Sequence, residues 1–334
     1  MSEREADIDG FLAGAGWGAS RRVKLAGDAS FRHYQRVTRG GKTAVLMDAP
    51  PQRETVAPYL RIARLLARLD LSAPKILAAD EALGLVLLED LGDDTYTRMF
   101  AKGGDEGELY RCAVDALVTL HGRSKPEDGA GIATFDQARM LDQVALLVEW
   151  YRPAVLGLTT PPDLAAAWRD AWRQVLTAMP DCGRTLVLFD YHVDNLMWLP
   201  GRQGAARCGL LDFQDAVIGP PPFDLMSLLQ DVRREVPAAI VTAMRAHYDA
   251  AFAGATGAAF ETVYRVMGAQ RNCRILGTFA RLNYRDGKPG YLAYIPRVWR
   301  LIEENLACPA LAPVAAWLDR HMNERVIPSR PGLP

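Results

Sequence analysis

The chain of 334 residues has only five cysteines, Cys112, Cys182, Cys208, Cys273 and Cys308. Their number is odd, they lie far apart, and none forms a CxxC pair or stands with His at zinc-ligand spacing. A disulfide framework and a zinc site are thereby excluded, and packed, reduced thiols are expected. Net charge is lacking too: 39 Lys and Arg face 40 Asp and Glu, a formal −1, so no global field draws the chain to nucleic acid or to an anionic membrane. No stretch approaches the roughly 18 uninterrupted apolar residues of a membrane span. The N-terminal MSEREADIDG is acidic and carries no apolar export signal. The expectation is a cytoplasmic protein with no nucleic-acid, membrane or obligate protein partner. No repeat of roughly 20 to 50 residues is visible, and the only biased segment is the Pro-rich tail from Pro328 to Pro334.

What is present is enough apolar material, 49% of the chain, to bury about two domains of ~150 residues each. Residues 21–26, 31–37 and 43–47 are short, β-branched or aromatic, and separated by the turn compositions GDAS and TRGGK, which predicts an antiparallel meander. Residues 53–69 place Leu60, Ile62, Ala63, Leu65, Leu66 and Leu69 at helical spacing, with Pro58 near the first turn. KILAAD and LVLLED then read as a hairpin, so the first ninety or so residues are β-β-β-α-β-β. From about Asp94 helical periodicity prevails, with candidates at 106–121, 138–151, 163–179, 225–234, 237–253, 259–282 and 296–306. It is interrupted by three strand-length apolar runs at 186–189, 196–199 and 207–211. The fold class is α+β: a small antiparallel β-rich lobe with one helix over residues 1–92, and a larger, mainly helical lobe over 93–327, with 328–334 as a tail.

That interruption carries the chemistry. Asp190-Tyr191-His192-Val193-Asp194-Asn195 leads into a strand, the turn Pro200-Gly201-Arg202-Gln203-Gly204, a second strand, and Asp212-Phe213-Gln214. If 196–199 and 207–211 pair as a hairpin, the residue before the first strand lies beside the residue after the second, which makes Asn195 and Asp212 neighbours. An amide oxygen and a carboxylate converging in this way suit Mg²⁺, which takes hard oxygen ligands and few of them from protein. Asp190 is left to accept the proton of an attacking hydroxyl during phosphoryl transfer. The spacing Asp-x4-Asn, followed by Asp-Phe after a hairpin, is a kinase catalytic-loop arrangement.

LVLFDYHVDNLMWL and GLLDFQDA resemble the motifs of the aminoglycoside phosphotransferase and choline kinase superfamily, and the likeness extends over nearly the whole chain. It implies a two-lobed protein-kinase-like fold, with ATP and Mg²⁺ as cofactors. Gly27-Asp28-Ala29-Ser30 would lie where such kinases cover the phosphates, and Glu89-Asp90-Leu91-Gly92 where their hinge offers backbone groups to adenine. Asp224, whose simplest role before LMSLLQD is a helix N-cap, matches a residue that braces the catalytic loop. His192 and Asp194 are candidates for contact with substrate. Two departures stand out. The position that ends the third strand, where kinases carry a phosphate-binding Lys, is Met47; Lys24, Lys42, Arg32 or Arg36 are left as candidate cations, with Arg32 assigned to the nucleotide site and Glu54 a carboxylate that would pair such a cation. The His-Gly usual before the catalytic Asp is Leu188-Phe189.

Residues 264–300 hold seven Arg and one Lys against the single acid Asp286. Amine acceptors call for carboxylates, so this segment points to a neutral or anionic acceptor. GDASFRHYQRV, VLMDAPP, GLVLLEDLGDDTY and GTFARLNYRDGKPGYL most resemble the bacterial cell-wall-recycling kinases that phosphorylate the anomeric hydroxyl of N-acetylmuramate and N-acetylglucosamine. The resemblance implies an amino sugar substrate, with Arg271 binding a lactyl carboxylate and Asn272 beside it. Alternatives are a phosphotransferase for an aminoglycoside, amino alcohol or ketosamine, or a nucleotide-binding regulator without turnover.

Overall fold

In the computed structural model, which describes residues 3–25, 32–252, 254 and 257–322, helix α1 (Glu3–Gly14) precedes a five-stranded sheet. Gly27 to Ser30 and the tail from Pro328 lie outside the described residues. The strands are β1 (Arg21–Lys24), β2 (His33–Arg39), β3 (Lys42–Asp48), β4 (Ile76–Asp80) and β5 (Leu85–Glu89), with α2 (Ala57–Arg68) between β3 and β4. Spatial order is β1-β2-β3-β5-β4, antiparallel throughout. Gly40 and Gly41, at φ +55° and +76°, close the two-residue turn between β2 and β3, a conformation that glycine adopts without a Cβ clash.

Alternation along the strands places Val37, Ala44, Leu46, Leu85 and Leu87 on one face, where Ile8 and Leu12 of α1 cover them. The sequence reading did not foresee α1, because its few large apolar residues are set among acids. Arg4 anchors it, donating to the Asp48 carboxylate and, at 2.7 Å, to the Leu83 carbonyl. Helix α2 has the spacing expected of it, burying Leu60, Ala63, Leu65 and Leu66, with Pro58 in the first turn where its missing N–H costs nothing.

The helices that follow are α3 (Tyr96–Ala101), α4 (Glu106–Arg123), α5 (Gln137–Leu146), α6 (Arg152–Ala154) and α7 (Pro162–Ala178), with a π-helical turn over Leu147–Tyr151. Asp105 caps α4 by accepting from the Glu108 amide at 3.0 Å, and His121 and Arg123 complement its C-terminal dipole. Four short strands come next, β6 (Thr185–Val187), β7 (Leu196–Trp198), β8 (Cys208–Leu210) and β9 (Val217–Gly219). The chain continues with α8 (Pro222–Leu229), α9 (Ala238–Ala251), α10 (Ala258–Tyr284), α11 (Ile295–Leu306) and α12 (Ala312–His321). The elements α3, β9 and α12 were not expected from the sequence; α3 and β9 are too short to show a period.

Two compact units result. One takes the described residues up to Asp128 together with Asp190–Ala216; the other takes Gly129–Phe189 and the described residues from Val217 onward. In the first, the β7–β8 hairpin is joined on one side by Ser72, whose carbonyl accepts from Leu210, and on the other by Asp94, whose carbonyl accepts from Trp198. In the second, α10 is buried on nearly every face from Phe260 to Ala280, against α5, α8 and α11. Among the described residues no helix is long and apolar enough to cross a membrane. None of the five cysteines is in a disulfide, and burial pushes the Cys208 thiol up to about 12, which keeps it protonated and unreactive.

Gly277 of α10 has a reason to be glycine. A Cβ there would stand 2.3 Å from the backbone carbonyl of Leu146. Gly to Ala inside a helix ordinarily stabilises by about 1 kcal/mol, but here backbone must move. Gly277→Ala is expected to destabilise by about 1–3 kcal/mol, read as a lower denaturant midpoint at an unchanged slope.

Candidate active site

The hairpin positions the site. Leu196 pairs with Leu210 and Trp198 with Cys208, and the ladder gains one further bond, from the Leu211 amide to the Asn195 carbonyl at 2.9 Å. Asn195 and Asp212 therefore leave the same open end of the ladder, next to each other, as their spacing predicts. Gly209 permits this fit, because a Cβ on it would meet Met197 at 2.9 Å and Leu199 at 3.0 Å.

The loop from Asp190 to Asn195 is tied to itself. Asn195 donates from Nδ2 to the Asp190 carbonyl at 3.0 Å, its Nδ2 lies 3.3 Å from His192 Nε2, and its own amide donates to the His192 carbonyl at 2.9 Å. With its nitrogen committed to the loop, Asn195 has its amide oxygen for a cation. His192 is buried, and its Nε2 faces Asn195. The Asp194 carboxylate accepts from the Thr97 hydroxyl of α3, so it anchors the loop. Below, Tyr191 donates from its hydroxyl to the Ala113 carbonyl of α4 at 2.7 Å.

Asp212 has φ +56°, a left-handed conformation that few non-glycine residues adopt and that re-aims its side chain. Its side chain is 43% exposed. Protein crowded around the carboxyl group raises its pKa; the Gln214 amide, donating at 2.7 Å, opposes this, the nearby Asp190 charge adds to it, and Arg32 opposes it. Two carboxylates thus converge on one place with an amide oxygen beside them, an excess of negative charge that a divalent cation would relieve. This donor set fits Mg²⁺, which Asn195 and Asp212 would hold.

Arg32, just before β2, is buried; it pairs with Glu54, and its Nη1 lies 3.9 Å from Asp212 Oδ1. Tyr59 of α2 stacks on Phe213 with centroids 4.9 Å apart, fastening α2 to the residue after Asp212. At the end of β5, Glu89 pairs with Arg202 at 2.7 Å, and Asp90 pairs with Arg36 at 2.7 Å and accepts from the Gly92 amide at 3.0 Å. Both carboxylates serve the protein itself, which leaves the main chain around Leu91 as what this segment can present to a base.

In the helical unit, Asp224 does not cap α8. That cap position is Pro221, and Asp224 sits inside the first turn, fully buried. Its carboxylate accepts from the Leu188 amide at 2.6 Å and the Phe189 amide at 3.0 Å, the two residues that lead into Asp190. Phe189 has φ +77°, stacks on Phe223 at 5.2 Å, and has the guanidinium groups of Arg139 and Arg274 at 5.2 and 4.7 Å from its ring centroid. These contacts hold the segment where the usual His-Gly is replaced. Arg271 and Asn272 are both buried in α10, and Asn272 donates to Gln230 at 3.4 Å. The basic segment is not one solvated face: Arg274 lies on Phe189, Arg265 bonds Glu261, and Arg297 donates to the Asp231 carbonyl. The supporting roles of Gln214, Thr97 and Tyr59 escaped the sequence reading, although Gln214, directly after Asp-Phe, was in view.

A strand-rich lobe, a mainly helical lobe and this Asp-Asn-Asp constellation define a phosphotransferase with a protein-kinase-like fold. The chain belongs to the phosphotransferase enzyme family, whose sequence profile matches residues 22–262. It is 41% identical to an N-acetylmuramate/N-acetylglucosamine kinase of Caulobacter vibrioides, over 96% of this chain and 97% of that one. With a kinase of the same name from Pseudomonas putida it shares 37% identity, over 86% of this chain and 85% of the relative. Among solved structures, a choline/ethanolamine kinase family protein from Mesorhizobium loti superposes with TM-score 0.62 at 18% identity, covering 95% and 99% of the two chains. An ADP-bound aminoglycoside phosphotransferase gives 0.57 at 16%, covering 90% and 97%. At such identities these two likenesses speak to the fold alone.

Asp224→Ala leaves two buried amides without an acceptor, each costing about 1–3 kcal/mol. The expected outcome is a lowered thermal midpoint together with a lowered kcat, whereas Asp224→Asn, which keeps one acceptor oxygen, should lose less of both. A kcat unchanged in Asp224→Ala would detach this carboxylate from the loop.

Proposed function

We propose that the protein transfers the γ-phosphoryl group of ATP to the anomeric hydroxyl of N-acetylmuramate and N-acetylglucosamine, releasing ADP and the sugar 1-phosphate. The observation that carries the acceptor is the near full-length identity to kinases named for these two sugars. Asp190 accepts the hydroxyl proton as the O–P bond forms and the bond to the β-phosphate oxygen breaks. Asn195 and Asp212 would hold magnesium, which when bound offsets the charge on the phosphates. The segment at Glu89, Asp90 and Leu91 receives the adenine through its main chain, and residues 1–92 form the nucleotide-covering lobe. Arg271, a buried guanidinium, suits the lactyl carboxylate that only N-acetylmuramate carries. The role of the product in peptidoglycan recycling follows from the same acceptor.

Turnover, product and variant measurements test this reading. ADP release over a panel of sugars, amino alcohols and aminoglycosides should rise with the two amino sugars, and the phosphorus NMR spectrum of the product should show an anomeric phosphate. Absence of turnover with both sugars, or a phosphate on another hydroxyl, would refute the acceptor. Asp190→Ala should lower kcat by about 10²-fold or more, as for loss of a general base, while Asp212→Ala should weaken use of Mg-ATP. Arg271→Lys should raise KM for N-acetylmuramate and leave that for N-acetylglucosamine within about twofold, since only the former loses a bidentate partner; equal changes for both would remove Arg271 from acceptor recognition.

A further inference from the structure

The cation that kinases supply from the third strand is missing at Met47, which is fully buried. Sheet register decides among the four candidate replacements. Residues paired across antiparallel strands share a face, and so do alternate residues of one strand. Met47 pairs with Tyr34, so Tyr34 and Arg36 belong to the face of Met47, and Arg32 lies just before β2. Lys24 pairs with Gln35, which pairs with Leu46, so it belongs to the opposite face, the one covered by α1. Lys42 shares that opposite face with Ala44 and Leu46, at the far end of β3. Arg36 lies on the right face but is engaged by Asp90 and Asp93. Arg32 is left, and its guanidinium lies where the chemistry needs a cation: one nitrogen on Glu54, the other 3.9 Å from Asp212. Tyr34, which is electrostatically coupled to Arg32, sits directly opposite Met47.

We infer that Arg32, approaching from the start of β2 and held by Glu54, is the phosphate-binding cation of this enzyme in place of a lysine on β3. The inference rests on the phosphotransferase reading above and adds to it a residue exchange between neighbouring strands. Phosphoryl-transfer sites place an ion-paired cation on the phosphates beside the metal-binding Asp, and the Arg32–Glu54 pair beside Asp212 reproduces that relation. A guanidinium suits the place because it is planar: one edge can stay on the carboxylate while the other takes phosphate oxygens. Met47 is itself fully buried.

Titration of Mg-ATP and of adenosine into the full-length protein separates phosphate binding from support of the fold, since adenosine has no phosphate. In Arg32→Ala the affinity for Mg-ATP is expected to fall about tenfold to a hundredfold, as for loss of a charge-assisted hydrogen bond. Adenosine affinity, followed by ligand-observed NMR, is expected to stay within twofold. Arg32→Lys, which keeps the charge, should lose less, and Glu54→Gln should weaken Mg-ATP in the same sense; Glu54→Gln decides the matter should Arg32→Ala not fold. An equal fall for both ligands, or no fall for Mg-ATP in either variant, overturns the proposal. No acceptor takes part in these titrations. A wild-type protein that binds Mg-ATP but phosphorylates neither amino sugar therefore sinks the acceptor reading alone.

Discussion

The hydrogen bond from the Leu211 amide to the Asn195 carbonyl extends a ladder of only three residue pairs, and the placement of the reactive groups depends on it. Because side chains alternate across a strand, a slip of one residue would exchange Asp212 for Leu211 at the open end and set an apolar side chain beside Asn195. A hairpin of three-residue strands is marginal by itself. Here both of its edges are taken, by Ser72 on one side and Asp94 on the other, so its register is held by the surrounding unit. Function in this chain begins with that constraint.

Around the hairpin the structure tolerates conditions that would be unfavourable elsewhere. Phe189 and Asp212 both have positive φ, each at a cost of about 1–3 kcal/mol. Burial, and after it the nearby Asp190 charge, push the pKa of Asp212 up. The offsets are specific. Asp224 satisfies the amides of Leu188 and Phe189, the Phe223 ring and two guanidinium groups enclose Phe189, and Gln214 and Arg32 face Asp212. The positive φ values thus fall on residues held by specific partners, while the interior of the helical unit is ordinary close packing around α10.

Much of the fold was legible in the chain because local patterns carry it. The meander, α2 and the long helices have clear periods of two or 3.6 residues, and these appear within a few residues of where the pattern places them. The elements that were missed lack such a signal. α1 offers few apolar residues among acids, α3 is six residues long, and β9 is a strand only because β6 lies beside it. Asp224 was legible as a residue at the start of a helix, but local sequence favours a cap, and only the approach of residues 188 and 189 turns its carboxylate to their amides.

The sequence by itself pointed to the adjacency of Asn195 and Asp212, because a hairpin between them brings its two ends together, and it placed Asp190 five residues before Asn195 on the same loop. It also determined that the usual cation was absent at Met47. How the candidate cations are arranged was decided by tertiary structure: register assigns Lys24 and Lys42 to one face of the sheet and Arg36 to the other, where ion pairs occupy it, while Arg32, just before β2, lies 3.9 Å from Asp212. The physical reason is that a side chain's charge is written in the chain, whereas the face it occupies and the partner that holds it depend on strands and loops far apart in sequence.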